Sequence, residues 1–274
     1  MRSFGTFLSG YWIVCALCFS SVQAEQFDER WGRHDERSAM RIDHQVWERF
    51  LLHYVRQDGD GVHRVAYGHV KDHDRDALAR YIEFLAGIDQ EAYRRSEQLA
   101  YWINLYNALM VQLVLDHYPV ASIRQVTRRE DGVEGSAWEW PLIEIDGVSL
   151  SLDDIEKNIL QPIWNDPRLY YAITCAAVGC PNLQPIPFSG DEIDRQLSDA
   201  AMAYVNDPRC IAIKDGELHV SSLYRWHLQA FGGSEQSVIQ HLMAYAEPNL
   251  AMALQKFDRL NGDHFDWRLN DSAN

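Results

Sequence analysis

Residues Arg168 to Leu183 read RLYYAITCAAVGCPNL. A short apolar run, Leu169 to Ile173, leads directly into Cys175. Ala176, Ala177 and Gly179 are small, and Cys180 precedes Pro181. The pattern predicts a buried strand that delivers a thiol to a tight turn. The small side chains would let a substrate backbone approach the sulfur.

The expected packing partner is Gln98 to His117, QLAYWINLYNALMVQLVLDH. Nearly every position is apolar, so this is a helix buried on most sides. Asn104 and Asn107 interrupt it. Three residues apart, they share one face. A buried amide without a partner costs about 1–3 kcal/mol, so both side chains must be hydrogen-bonded. Either they pin a neighbouring loop, or they orient a catalytic group or a substrate.

Further out, Val46, Trp47, Phe50, Leu51 and Tyr54 mark a helix over Asp43 to Val55. Leu78, Tyr81, Ile82 and Leu85 mark another over Asp72 to Ala86. The Gly-rich run Gln57 to Gly61 lacks the bidentate acid of a calcium loop and reads as a turn before a short strand, Val62 to Tyr67. Residues 128 to 140 read as a loop. Asp146-Gly147 and Asp215-Gly216 each predict a tight hairpin. Ser151 with Asp154, and Ser189 with Glu192, resemble capping boxes opening helices at Leu152 and Asp191. His264 to Asn270 reads as a last strand. Helices early, then strands and helices mixed, predict an α+β fold. Its sheet would be mainly antiparallel, with packed helices and one central buried helix against it.

Residues 1–24 carry Arg2, an apolar core from Tyr11 to Phe19, and small residues at Val22 and Ala24. They are expected to be a secretory signal peptide, the apolar run being too short to span a bilayer. Residues 25–42 are charged and read as an arm, 43–270 as one globular domain, and 271–274 as a tail. The protein is therefore expected in the periplasm or secreted, with no integral membrane segment in the mature chain. Removing Arg2 with the leader takes the net charge from -15 to -16, which argues against nucleic acid as a partner. Cys175, Cys180 and Cys210 remain after cleavage. Two could pair in an oxidising compartment, with Cys175 or Cys180 joined to Cys210 across neighbouring strands as one option. The spacing from Cys175 to Cys180 is not that of a Cys-x-x-Cys redox motif. His63, His69 and His73 lack the Cys or acid pattern that would complete a tetrahedral metal set. No cofactor is expected.

LAYWINLYNA, YPVASI, SLDDIEKNIL, DPRLYYAITCAAVGCPNL, VSSLYRWHLQAFG and FDWRLN, in that order, resemble the domain-of-unknown-function 547 family from about Asp43 to Asn270. The resemblance implies a family without a settled reaction, found in bacterial exported proteins and, joined to other regions, in plants. This chain departs from the family's usual residues. Tyr170 and Lys157 stand where histidines are usual, and His227 and Ala230 where a Tyr and an Asp are usual.

Two functions remain open. In the first, the domain is exported and non-catalytic or catalytically degenerate. It binds a small molecule or peptide through residues drawn from Trp102, Tyr106, Glu156, Arg168, Tyr170, Cys180 and Trp226, with Tyr171 and Trp267 as further aromatics that would be core or would line the groove. Glu156 would then pair with Arg168. In the second, Cys175 is the nucleophile of an acyl-transfer or amide-hydrolysing enzyme. His227 or His219 would be its base, and Asn104 and Asn107 would orient the base.

Overall fold

The computed structural model describes residues 30–272 except 131–132, so the leader expected over residues 1–24 lies outside the described residues. Helix α1 (Gln45–Tyr54) buries Trp47, Phe50, Leu51 and Tyr54, at the spacing that puts them on one face. Strands β1 (Val55–Gln57) and β2 (His63–Val65) pair antiparallel around the Gly-rich turn. There the Arg64 guanidinium holds the Asp58 and Asp60 carboxylates at 2.7 Å each. Helix α2 (Asp72–Ala86) turns Leu78, Tyr81, Ile82 and Leu85 inward.

Helix α3 (Arg95–His117) is the axis of the fold, buried on all sides along most of its length. Helix α2 packs most closely against it. Among the described residues the sheet is divided into small pieces, three hairpins and one three-stranded sheet, so α3 is wrapped by helices and loops rather than laid on one broad sheet. Its central residues, from Ala100 to Ile103, are fully buried. Each large apolar side chain removed from water there contributes roughly 1.5–3 kcal/mol.

Strands β3 (Thr127–Glu130) and β4 (Val133–Ser136) form a hairpin where a loop is expected. Strands β5 (Ile143–Ile145) and β6 (Val148–Leu150) turn on Asp146 and Gly147, whose φ angles of 49° and 73° are those of the tight left-handed turn this dipeptide favours. Ser151 and Asp154 then cap the next helix reciprocally. The Asp154 carboxylate accepts the Ser151 N–H at 3.0 Å, and the Ser151 hydroxyl oxygen accepts the Asp154 N–H at 3.0 Å. That helix is wound as a π-helix over Asp154–Leu160 and continues as α4 (Gln161–Trp164). The Gln161 N–H donates to the Glu156 carbonyl five residues back. Pro162 has no N–H to continue an ordinary ladder.

The stretch entering Cys175 is helical, not a strand: α5 spans Leu169–Ala172. Leu169 and Ala172 join the core around α3, while Tyr170 and Tyr171 join a second core. Positions i and i+3 share a face only in a helix, and alternation would have paired Leu169 with Tyr171. A short apolar run carries no period that separates the two.

The second core is built by α6 (Ile193–Val205), β7 (Ile211–Lys214), β8 (Glu217–Ser221), α7 (Leu223–Trp226), α8 (Glu235–Tyr245) and α9 (Pro248–Leu254). The hairpin β7–β8 turns on Asp215 and Gly216 as expected, and β9 (Gly262–His264) adds a parallel strand to β8. Beyond β9 the strand expected to Asn270 survives only as an isolated bridge, Ala177 with Leu269. Helix α6 begins at Ile193 without a Ser189–Glu192 box. The Gln196 amide serves that turn instead, accepting the Ser189 N–H at 2.9 Å and donating to the Pro187 carbonyl at 2.8 Å.

Residues 30–42 are no loose arm. Trp31 is fully buried against Trp102, and the Ile42 N–H donates to the buried Glu97 carboxylate at 2.8 Å. The tail is docked too, the Ser272 N–H donating to the Val65 carbonyl at 3.0 Å. Charge along these segments hid the few residues that anchor them.

Candidate functional site

The two asparagines of α3 act on backbone. Asn104 donates to the Phe188 carbonyl at 2.8 Å and accepts the Phe188 N–H at 3.0 Å. Asn107 donates to the Ala172 carbonyl at 2.9 Å and accepts the Thr174 N–H at 2.8 Å. Each amide offers the donor and acceptor that a neighbouring strand would, for a single residue. Both side chains are buried and spend these bonds on loop backbone, and the Asn104 amide nitrogen also meets His44 Nε2 at 3.3 Å; neither asparagine lines the pocket that Cys175 lines. Asn107 nevertheless positions the site, because the residues it holds lead directly into Cys175.

After Thr174 the chain turns through Ala176, at φ 56°, and Cys175 is bonded to Cys180 across a Cα–Cα distance of 5.8 Å. Cys210, once an option for this pairing, is a buried free thiol 3.0 Å from the Tyr224 hydroxyl. Burial pushes its pKa up, which makes it inert as a nucleophile. What approaches the small residues of this loop is the chain's own C-terminal segment, not a substrate. The Gly179 N–H donates to the Asp266 carbonyl at 2.9 Å, and a Cβ on Gly179 would lie 2.8 Å from the Asp266 nitrogen.

That approach places Phe265 and Trp267 along one wall of a pocket of about 180 Å³, which Cys175 also lines. The pocket lies where the two cores meet. Trp226, half exposed, packs on Phe265 and Trp267 with ring centroids 4.7 and 5.4 Å apart, and Trp138 meets Trp267 edge-on at 6.3 Å. Tyr106, Glu156, Tyr170, Cys175 and His227 are also in the lining, and the Asp153–Lys157 ion pair at 2.6 Å borders them.

Glu156 and His227 face each other in this pocket, with Oε1 and Nδ1 3.7 Å apart. Burial raises the Glu156 pKa to about 7, with nearby Asp153 adding to the effect. Burial lowers the His227 pKa to about 4. Desolvation disfavours the charged form of each, so between about pH 4 and pH 7 the pair is a neutral acid beside a neutral imidazole rather than an ion pair. Tyr170 covers the imidazole, with ring centroids 4.0 Å apart. The Glu156 oxygen also accepts from the Gln161 amide at 3.1 Å, five residues on, a contact that the π-helical winding allows. An acid poised near neutrality and an unprotonated imidazole can together donate and accept protons.

Tyr106, Glu156, Tyr170, Cys175, His227 and Trp226 thus converge on the pocket as lining residues, and Cys180 lies buried behind it as the disulfide partner. Trp102 does not line it: it is fully buried between Trp31 and Tyr101. Arg168 does not either. Its guanidinium grips Asp166 and Asp194, at 2.7 and 2.8 Å, and the Ser198 hydroxyl at 2.9 Å. The Glu156–Arg168 pair does not form. His219 sits on β8 beside Glu217 at 3.3 Å, outside the pocket lining. The reading missed Trp138, Phe265 and Asp153 as site residues, while Trp267, one of the aromatics expected in the core or along a groove, does line the pocket. The run Phe265-Asp266-Trp267 was the available signal, since two large aromatics in one short segment need a surface to cover. Among the described residues, no group of three or more His, Cys, Asp or Glu is arranged to hold a metal ion.

Residues 90–205 match the family model described as "Protein of unknown function, DUF547". The matched segment includes α3, the π-helix, α5 and the disulfide loop, and ends with α6. No curated protein and no solved structure matches the chain.

Proposed function

We propose that this protein, whose middle segment is that of a family without an assigned reaction, is an exported ligand-binding protein. Its pocket takes a small uncharged molecule or a peptide side chain with one flat apolar face. The carrying observation is the wall of Trp226, Phe265, Trp267 and Trp138 standing over the neutral pair Glu156 and His227. Half-exposed aromatic rings offer area at little entropic cost. The acid and the imidazole offer a donor and an acceptor without a net charge. Export is supported by the leader-like residues 1–24 and by the Cys175–Cys180 disulfide, a bond characteristic of oxidising compartments. No helix among the described residues is long and apolar enough to cross a membrane.

Tryptophan fluorescence tests the proposal directly. Uncharged ring compounds, sugars and short aromatic peptides are titrated against the wild type and against Trp226→Ala. The expected result is a saturable change in the wild type that weakens by roughly tenfold or more in the variant, as for an aromatic anchor. Titrations with no saturable signal, or equal affinity in both proteins, would overturn it.

A second reading, acyl transfer through Cys175, rests on Cys175 and His227 lining one pocket. It needs a thiolate, which the disulfide denies, so it applies to the reduced protein alone. Ester or amide turnover that appears on reduction and vanishes in Cys175→Ser would support it.

A further inference from the structure

The two sulfurs of the disulfide are not equivalent. Cys175 is partly exposed and lines the pocket, whereas Cys180 is buried. The buried sulfur accepts a backbone hydrogen bond from the Ala177 N–H at 3.2 Å. The loop between them is held in place without the disulfide. Val178 and Gly179 donate to the Arg268 and Asp266 carbonyls at 2.8 and 2.9 Å, and the Gly179 carbonyl accepts from the Tyr204 hydroxyl at 2.7 Å.

From this asymmetry we infer that the Cys175–Cys180 bond is a thiol–disulfide exchange site, in which a thiol entering the pocket attacks Cys175 and Cys180 leaves. The incoming thiolate forms a bond to Cys175 Sγ. The Cys175–Cys180 bond breaks, and its electron pair departs on Cys180 Sγ. The Ala177 N–H stabilises the anion that forms there, and a better-stabilised leaving thiolate leaves faster. With a dithiol as the reaction partner, its second thiolate then attacks its own sulfur in the mixed disulfide and releases Cys175 as thiolate. The dithiol loses two electrons and two protons, and the protein takes up both. Access fixes the direction of attack, because a thiol reaching the pocket meets Cys175 alone. The loop's backbone bonds keep the reduced pair in register for reoxidation. The inference uses the pocket mouth but none of the aromatic wall, so it stands apart from the ligand-binding proposal.

The full chain in its oxidised form is titrated with glutathione and with dithiothreitol, without denaturant. Near-ultraviolet circular dichroism monitors the fold, and peptide mapping assigns each adduct. Dithiothreitol is expected to reduce the bond with the dichroism retained, iodoacetamide then labelling Cys175 ahead of the buried Cys180, and glutathione is expected to form its adduct on Cys175. Cys180→Ser is expected to form a mixed disulfide with oxidised glutathione at Cys175, at least roughly tenfold faster than Cys175→Ser forms one at Cys180, because Cys175 is the accessible sulfur and the leaving glutathione thiolate is the same in both. A disulfide that resists millimolar dithiothreitol until the dichroism is lost would overturn the inference. So would equal or reversed labelling of the two sulfurs of the wild type after dithiothreitol, or a glutathione adduct on Cys180 in place of Cys175, measurements that need neither variant to fold.

Discussion

Replacing Glu156 with glutamine keeps the shape and the hydrogen bond to Gln161 while removing the ionisable group. In the folded protein the carboxyl has its pKa raised to about 7, against an ordinary value of 4.5, chiefly by burial. A raised carboxyl pKa means that the folded state holds its proton where the unfolded chain has released it. Folding is then penalised as pH rises from 4.5, and the penalty is complete once pH passes 7. At about 1.4 kcal/mol per pH unit, the full penalty is about 3 kcal/mol. The side chain is only 10% exposed, so solvent screening removes little of it. Urea unfolding of wild type and Glu156→Gln at pH 4, 5, 6, 7 and 8 isolates the effect, since every other titrating group is common to both. The variant should match the wild type within about 0.5 kcal/mol at pH 4 and exceed it by about 3 kcal/mol at pH 8. Most of the rise should fall between pH 4.5 and 7. A difference that stays constant across the series, or one that favours the wild type at pH 8, would refute the claim that the pocket holds a desolvated acid.

Three other substitutions probe the supports of the site. Asn107→Ala strands the Ala172 carbonyl and the Thr174 N–H, and at about 1–3 kcal/mol for each buried unpaired group the loss should be about 2–6 kcal/mol by urea unfolding. Trp31→Ala empties a fully buried site in the core around α3 and should cost about 3–5 kcal/mol by the same assay, where a loose arm would cost nothing measurable. Gly179→Ala forces a methyl against the Asp266 backbone and should displace Phe265 and Trp267. Its expected signature is a changed tryptophan emission spectrum and weakened ligand binding. His44, His227 and His241 each have a pKa lowered to about 4 by burial, a shift that destabilises the fold as pH falls below 6.5. His44→Gln should therefore lose less stability than the wild type between pH 6.5 and 4, measured by thermal unfolding.

Local chemistry was legible in the chain itself. The inward faces of α1 and α2 follow from apolar residues spaced three and four apart. The two hairpins follow from Asp-Gly pairs, which tolerate positive φ at little cost, and the Ser151–Asp154 cap follows from two side chains within reach of each other's N–H. The buried character of α3 and the need for Asn104 and Asn107 to find partners were equally plain, because a buried amide left unpaired is expensive whatever surrounds it. The identity of those partners was not legible: Ala172, Thr174 and Phe188 lie more than sixty residues away along the chain. The same holds for the choice of helix over strand at Leu169, which two cores on opposite sides decide together. Sulfur pairing depends on distance in space, so Cys180 rather than Cys210 could be chosen only once the turn at Ala176 had formed. The pocket gathers Tyr106, Glu156, Tyr170, Cys175, His227 and Trp267 from separate segments, and the proton affinity of Glu156 is set by how much water those neighbours exclude. Short-range bonding geometry is written in adjacent residues, whereas desolvation and long-range contact exist only after the chain has closed on itself.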